Sequence, residues 1–116
     1  MAKDKLYLIK PAFTDPNRDD GPFVCPFCNQ IEGLLASFPD LAARILVEQV
    51  EFPRPRAAVI AAVGEANQAL PLLVFGDNPP DDASQHGETR YVQDTNQILT
   101  LLASRHGFPK PHKYLA

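Results

Sequence analysis

Apolar residues along this chain fall into short blocks whose internal spacing changes from one block to the next. Leu6-Tyr7-Leu8-Ile9 is uninterrupted and stops at Lys10-Pro11, which predicts a short buried strand. Thr14 to Pro22 is polar and carries Pro16, Gly21, Pro22 and the pair Asp19-Asp20, the composition of a loop. From Cys25 the spacing changes. Ile31, Leu34, Leu35 and Phe38 lie three, one and three positions apart, a single helical stripe that Pro39 ends. Ile45 to Phe52 is rich in β-branched residues and closed by Pro53, which predicts a second strand. Arg54 to Val63 reads as a helix with Pro55 in its first turn and Gly64 as its C-cap. Leu70 to Phe75 is a third strand with a turn at Gly76-Asp77, and Asn78 to Glu88 is loop. Thr89 to Val92 is a fourth strand. Asp94 to His106 is a helix with Ile98, Leu99, Leu102 and Ala103 on one face and Gly107 as its cap.

The order β-α-β-α-β-β-α belongs to the α/β class, with a central mixed four-stranded sheet flanked by helices. A helix between the first two strands implies a right-handed parallel crossover, and the last two strands suit antiparallel pairing. The 116 residues fit one domain spanning 1–116, with an inserted loop at 14–24, a second loop at 78–88 and an irregular tail at 108–116. With 45% hydrophobic residues spread along the chain, a core is feasible. A net charge of −3 and the lack of a basic stripe argue against nucleic acid and anionic membranes as partners. The longest apolar run, Ala57 to Val63, falls far short of the roughly 20 residues a bilayer demands. The charged start Met1-Ala2-Lys3-Asp4-Lys5 lacks the pattern of a secretory signal, so the expected location is the cytoplasm, where a permanent disulfide is not expected.

Cys25 and Cys28 are the only cysteines. At a helix start, unpaired N–H groups and the helix dipole favour a thiolate, the reactive form of cysteine. Pro26 suits the first turn, and Cys28 follows about one turn later. A first thiolate can then attack a disulfide while the second thiol resolves the product, with Cys25 as nucleophile and Cys28 as resolving residue. Two other readings stand beside this one. Cys-x-x-Cys is also half of a zinc site, but no second cysteine pair exists, and His106 and His112 are six apart, outside the usual ligand spacing. No metal is therefore expected, and His86, His106 and His112 are expected at the surface. The pair is also compatible with two inert core thiols.

Cys25-Pro26-Phe27-Cys28 resembles the Cys-Pro-[Tyr/Phe]-Cys site of the thioredoxin superfamily, closest to glutaredoxins and the N-terminal domain of glutathione transferases. Leu70-Pro71-Leu72-Leu73-Val74 is similar to their cis-proline segment. Asp94-Thr95-Asn96-Gln97-Ile98-Leu99 is similar to the start of their last helix. The three patches span residues 6 to 107. The resemblance implies a thioredoxin-like fold and glutaredoxin-like thiol–disulfide oxidoreductase activity on protein or low-molecular-weight disulfides. It implies glutathione as a candidate cofactor. Leu70 and Pro71 would then face the bound thiol, and Asp94 and Thr95 would hold its γ-glutamyl end. Some glutaredoxins also bridge two chains with an iron–sulfur cluster through the first cysteine.

The chain departs from that pattern in three places. About fifteen residues separate Ile9 from Cys25, the usual Gly-Gly after the third strand is replaced by Gly76-Asp77, and the basic residue for glutathione's glycine carboxylate has only Lys10 as a counterpart. These departures fit a bacterial branch of the superfamily. They also keep open an alternative, a catalytically silent binding or adaptor protein on the same fold.

Overall fold

The computed structural model describes residues 2–112. At its centre is β1 (Lys5–Ile9), which pairs in parallel with β2 (Leu46–Val50) and antiparallel with β3 (Leu72–Val74). The five-stranded mixed sheet runs β2-β1-β3-β5-β4, where β4 is Ser84–His86 and β5 is Thr89–Val92. Residues alternate between its two faces, as a strand's period of two dictates. On one face Leu6, Leu8, Leu73 and Val92 meet α1 (Pro26–Ser37) and α4 (Thr95–His106) through Cys28, Ile31, Ile98 and Leu102. On the other, Tyr7, Leu72 and Tyr91 meet Val59 and Val63 of α3 (Ala57–Val63). A short α2 (Pro39–Ala42) follows α1 directly.

Four expectations need correction. The sheet has five strands, because residues 84–86 of the expected 78–88 loop pair with β5 as a hairpin. Gly87 at φ 58 supplies the left-handed conformation its tight turn requires. Ser84-Gln85-His86 is wholly exposed at the sheet edge, so no apolar alternation marked it. Pro39 does end α1, but it also occupies the first position of α2. The third helix begins at Ala57, not Arg54, so Pro55 lies ahead of it. Arg56 there is extended, at φ −99 and ψ 90, and its N–H donates to Gln68 Oε1 at 2.7 Å. The second and third strands are also shorter at both ends than expected.

Several local expectations stand. Gly64 and Gly107 cap α3 and α4 with positive φ, and the α4 helix runs to His106 as expected, with Asp94 at its N-cap accepting from Gln97 N at 2.9 Å. The inserted loop is closed by a two-way bridge between Phe13 and Phe23, with N···O distances of 2.9 and 2.7 Å. Of the expected tail, 113–116 lies outside the described residues, and 108–112 has no regular structure. Among the described residues, no helix is long and apolar enough to cross a membrane.

The end of β1 nearest the N-terminus is anchored by a buried charge. Asp4 accepts from Gly76 N at 2.9 Å, from Arg105 at 2.7 and 2.9 Å, and lies 2.8 Å from His106 Nε2. His106 is thus partly buried against a carboxylate, not at the surface as expected. Gly76 is required here because a Cβ would collide with the Ala2 backbone. Burial alone would raise the Asp4 carboxyl, but Arg105, the Gly76 N–H and His106 outweigh it and hold it below its ordinary 3.8. A depressed carboxyl stabilises the fold at pH values above 3.8, and that contribution is lost as pH falls through the folded-state value. Asp4→Ala should lower unfolding free energy by about 3–5 kcal/mol in urea, the range for breaking one side of a buried pair. It should also flatten the acid limb of the stability–pH curve below about pH 4.

Candidate functional site

Cys25 is the residue at which extended chain turns into α1. Its φ of −73 and ψ of 115 leave it outside the helix, and its Sγ accepts the Cys28 N–H at 3.3 Å. Pro26 occupies the first helical position, and no acidic side chain stands in the first turn to compete for the helix N-terminus. The expected placement of the pair at a helix start therefore holds.

The two sulfurs have different surroundings. Cys25 is half-buried, while Cys28 is 1% exposed and packs with Leu8, Ile9 and Ile31. Cys28 Sγ accepts the N–H of Ile9, the last residue of β1, at 3.4 Å. Burial pushes the Cys28 thiol up to about 12, and the neighbouring Cys25 sulfur adds to the rise. The Ile9 N–H and the Arg56 charge oppose it.

Around Cys25 lies an open hollow of about 340 Å³ with largely aromatic walls, among them Phe13, Phe23, Phe27 and Phe52. Phe13 stacks on Phe52 with centroids 4.2 Å apart, and Phe23 tilts against Phe13 at 6.0 Å. The bridge that closes the inserted loop therefore delivers two rings of this wall. At the rim, Arg18 is held by both carboxylate oxygens of Asp20, at 3.0 and 2.7 Å.

The remaining sequence candidates are distributed differently. Pro71 is fully buried just ahead of β3, the Leu70–Pro71 peptide is cis, and Leu70 packs against the apolar cluster that also contains Cys25 and Cys28. Asp94 and Thr95 stand at the N-terminus of α4. None of these four lines the hollow at Cys25. Lys10 is exposed and lies 3.6 Å from Glu51. Among the described residues, no group of three or more His, Cys, Asp or Glu side chains is gathered as a metal site.

A family model described as a protein of unknown function, DUF3088, matches residues 3–110. The chain belongs to the DUF3088 family. No curated protein and no solved structure matches it.

One residue of this DUF3088 protein escaped the sequence reading. Arg56 is 6% exposed, the only buried basic side chain among the described residues. Its Nε and Nη2 donate to Phe52 O at 3.0 and 2.7 Å, and its Nη1 donates to Gln68 O at 2.8 Å. Burial lowers its affinity for the proton below the ordinary arginine value and the Arg54 charge adds to the fall, while the two cysteines oppose it. Nothing in Pro53-Arg54-Pro55-Arg56 signals burial of the second arginine and not the first, because its acceptors are a local carbonyl and a segment twelve residues away.

Two outcomes follow from the unequal thiols. At pH 8, iodoacetamide should label Cys25 in the native protein and reach Cys28 only after urea is added, as peptide mass mapping would record. The raised Cys28 thiol stabilises the fold while it stays neutral. That contribution is complete below the ordinary 9.0 and is lost as pH rises towards about 12. Wild-type stability should therefore fall across that alkaline window, and Cys28→Ala should show a shallower fall in chemical denaturation.

Proposed function

We propose that this DUF3088 protein is a thiol–disulfide oxidoreductase of glutaredoxin type, built on a thioredoxin-like fold and acting in the cytoplasm. The observation that carries the reading is the inequality of the two thiols. Cys25 borders an open hollow at a helix N-terminus, and Cys28 is sealed beneath it as a neutral thiol. A nucleophile must reach substrate, whereas a resolving thiol must wait until a mixed disulfide has formed. The sheet order supports the fold assignment.

The Cys25 thiolate attacks one sulfur of a substrate R–S–S–R′. The S–S bond breaks, Cys25–S–S–R forms, and R′S⁻ leaves and takes a proton from solvent. Cys28 then attacks Cys25 Sγ, and its proton passes to the departing RS⁻. The substrate has gained two electrons and two protons, and the pair ends as a Cys25–Cys28 disulfide. An external thiol reductant returns it to the dithiol.

Glutathione fits this chain at one end only. Asp94 and the start of α4 offer polar groups to a γ-glutamyl end. For the glycine carboxylate, Lys10 is paired with Glu51, and Arg18, at the rim of the hollow, with Asp20. No step above is routed through glutathione, and the substrates are written as protein or small disulfides.

A second reading, a redox-silent binding module, draws on Val24 and Phe27, which stand 47% and 57% exposed beside Cys25. Insulin reduction by dithiothreitol separates the two. Wild type should accelerate it, and Cys25→Ser should return the rate to the uncatalysed level. Cys28→Ser should accumulate a mixed disulfide on Cys25, visible by intact mass. No acceleration by wild type and no mixed disulfide with Cys28→Ser would overturn the enzymatic reading in favour of the silent one.

A further inference from the structure

A charged side chain taken out of water is normally paired with an opposite charge. The other buried ion in this fold obeys that rule, since Asp4 meets Arg105. Arg56 does not. Its guanidinium is buried, yet every acceptor it reaches is a neutral backbone carbonyl. Three of the five N–H donors of an arginine are used in this way. Among the described residues, no carboxylate forms an ion pair with it.

Its location gives that charge a use. Phe52, whose carbonyl takes two of the bonds, is a wall of the hollow at Cys25, and its ring lies 5.6 Å from the guanidinium carbon. Gln68, whose carbonyl takes the third and whose side chain holds the Arg56 N–H, leads two residues later into Leu70-Pro71. One side chain thus ties the aromatic wall to the cis-proline segment. Cys25 borders the same hollow as Phe52, and under the oxidoreductase reading its thiolate is the anion that the reduced pair brings to this region.

We propose that Arg56 is a positioning residue of the redox pair, a buried counter-charge that favours the reduced form and fixes Phe52 and the Gln68–Pro71 segment beside it. The inference rests on the oxidoreductase reading. Reduction of the Cys25–Cys28 disulfide takes two electrons, and when the nucleophile is ionised for attack the reduced pair carries one negative charge that the disulfide lacks. Oxidation by a disulfide reagent removes that negative charge. The guanidinium therefore stabilises only the reduced side of the couple, which makes the pair a stronger oxidant.

The test is the equilibrium of the full-length protein with reduced and oxidised dithiothreitol, read as the fraction of free thiols by mass after acid quenching. Arg56→Gln should favour the disulfide form by about tenfold, a shift of ~30 mV for a two-electron couple. Arg56→Lys, which keeps the charge, should recover most of that shift. Gln68→Glu puts a negative charge at the Arg56 backbone N–H, on the residue whose carbonyl holds the intact guanidinium, and it should move the equilibrium in the same direction as Arg56→Gln. It therefore supplies the answer if Arg56→Gln fails to fold. Arg54→Gln, the exposed neighbour, should stay within about twofold of wild type, and the wild-type value should hold in about 0.5 M salt, which screens exposed charges. The inference is overturned if folded Arg56→Gln or Gln68→Glu leaves the equilibrium unmoved, or if Arg54→Gln shifts it equally. A wild-type chain that never forms the Cys25–Cys28 disulfide would instead sink the oxidoreductase reading itself.

Discussion

The burial of β1 on both faces is the constraint on which the rest of this structure depends. Leu6 and Leu8 are fully buried under α1 and α4, and Tyr7 is buried under α3. A strand so enclosed has to satisfy its backbone within the sheet, and β2 and β3 do so from either side. The charged and reactive groups therefore sit at its ends. Asp4 precedes the strand and gathers Gly76, Arg105 and His106. Ile9 ends it, and its N–H holds the Cys28 sulfur. The position of one cysteine is thus set by the same strand whose other end locks the last helix.

The inequality of the two thiols follows from helix geometry on that scaffold. α1 packs its Cys28–Ile31–Leu35 face against the sheet, and residues three apart share that face. Cys25 is three residues before Cys28 and so stands above it, but as the N-cap it lies outside the helix and at the rim. The insertion between β1 and α1 then bends back on itself through the Phe13–Phe23 bridge and walls the space above Cys25 with rings. An insert that reads in sequence as loop is, in the fold, part of the surroundings of the Cys25 sulfur.

What the sequence made legible was local in its physics. The α1 stripe, the caps at Gly64 and Gly107, and the start of a helix at the cysteine pair each follow from residues within a turn of one another. The features that escaped depend on distance along the chain. Asp4 finds its partners 72 and 101 residues away, so no window around it announces a buried ion. β4 is an edge hairpin strand with no apolar face, and polar residues in a Pro- and Asp-rich stretch read as loop. His106 read as a surface residue because its neighbour Asp4 belongs to the opposite end of the sequence. The site candidates split along the same line. Cys25 and Cys28 are fixed by their own helix, while the relation of Asp94 and Thr95 to them depends on how α4 packs.

Under the oxidoreductase reading, Arg56 sets stability against function at one position. Burying a guanidinium without a carboxylate carries a desolvation penalty of several kcal/mol, only partly offset by bonds to carbonyls. A neutral donor reaching Phe52 O and Gln68 O would tie the same segments together without that penalty. A fold selected for stability alone therefore has little reason to keep a full charge there, whereas a reduced cysteine pair supplies an anion in a region of low dielectric, where each ångström of separation counts for more than in water. The penalty is then carried mainly by the oxidised state, in which the pair is neutral, and is relieved on reduction. On this argument the buried cation and the buried Cys28 thiol are two parts of one arrangement. Burial keeps Cys28 neutral, and Arg56 stands behind Phe52, a wall of the hollow that Cys25 borders.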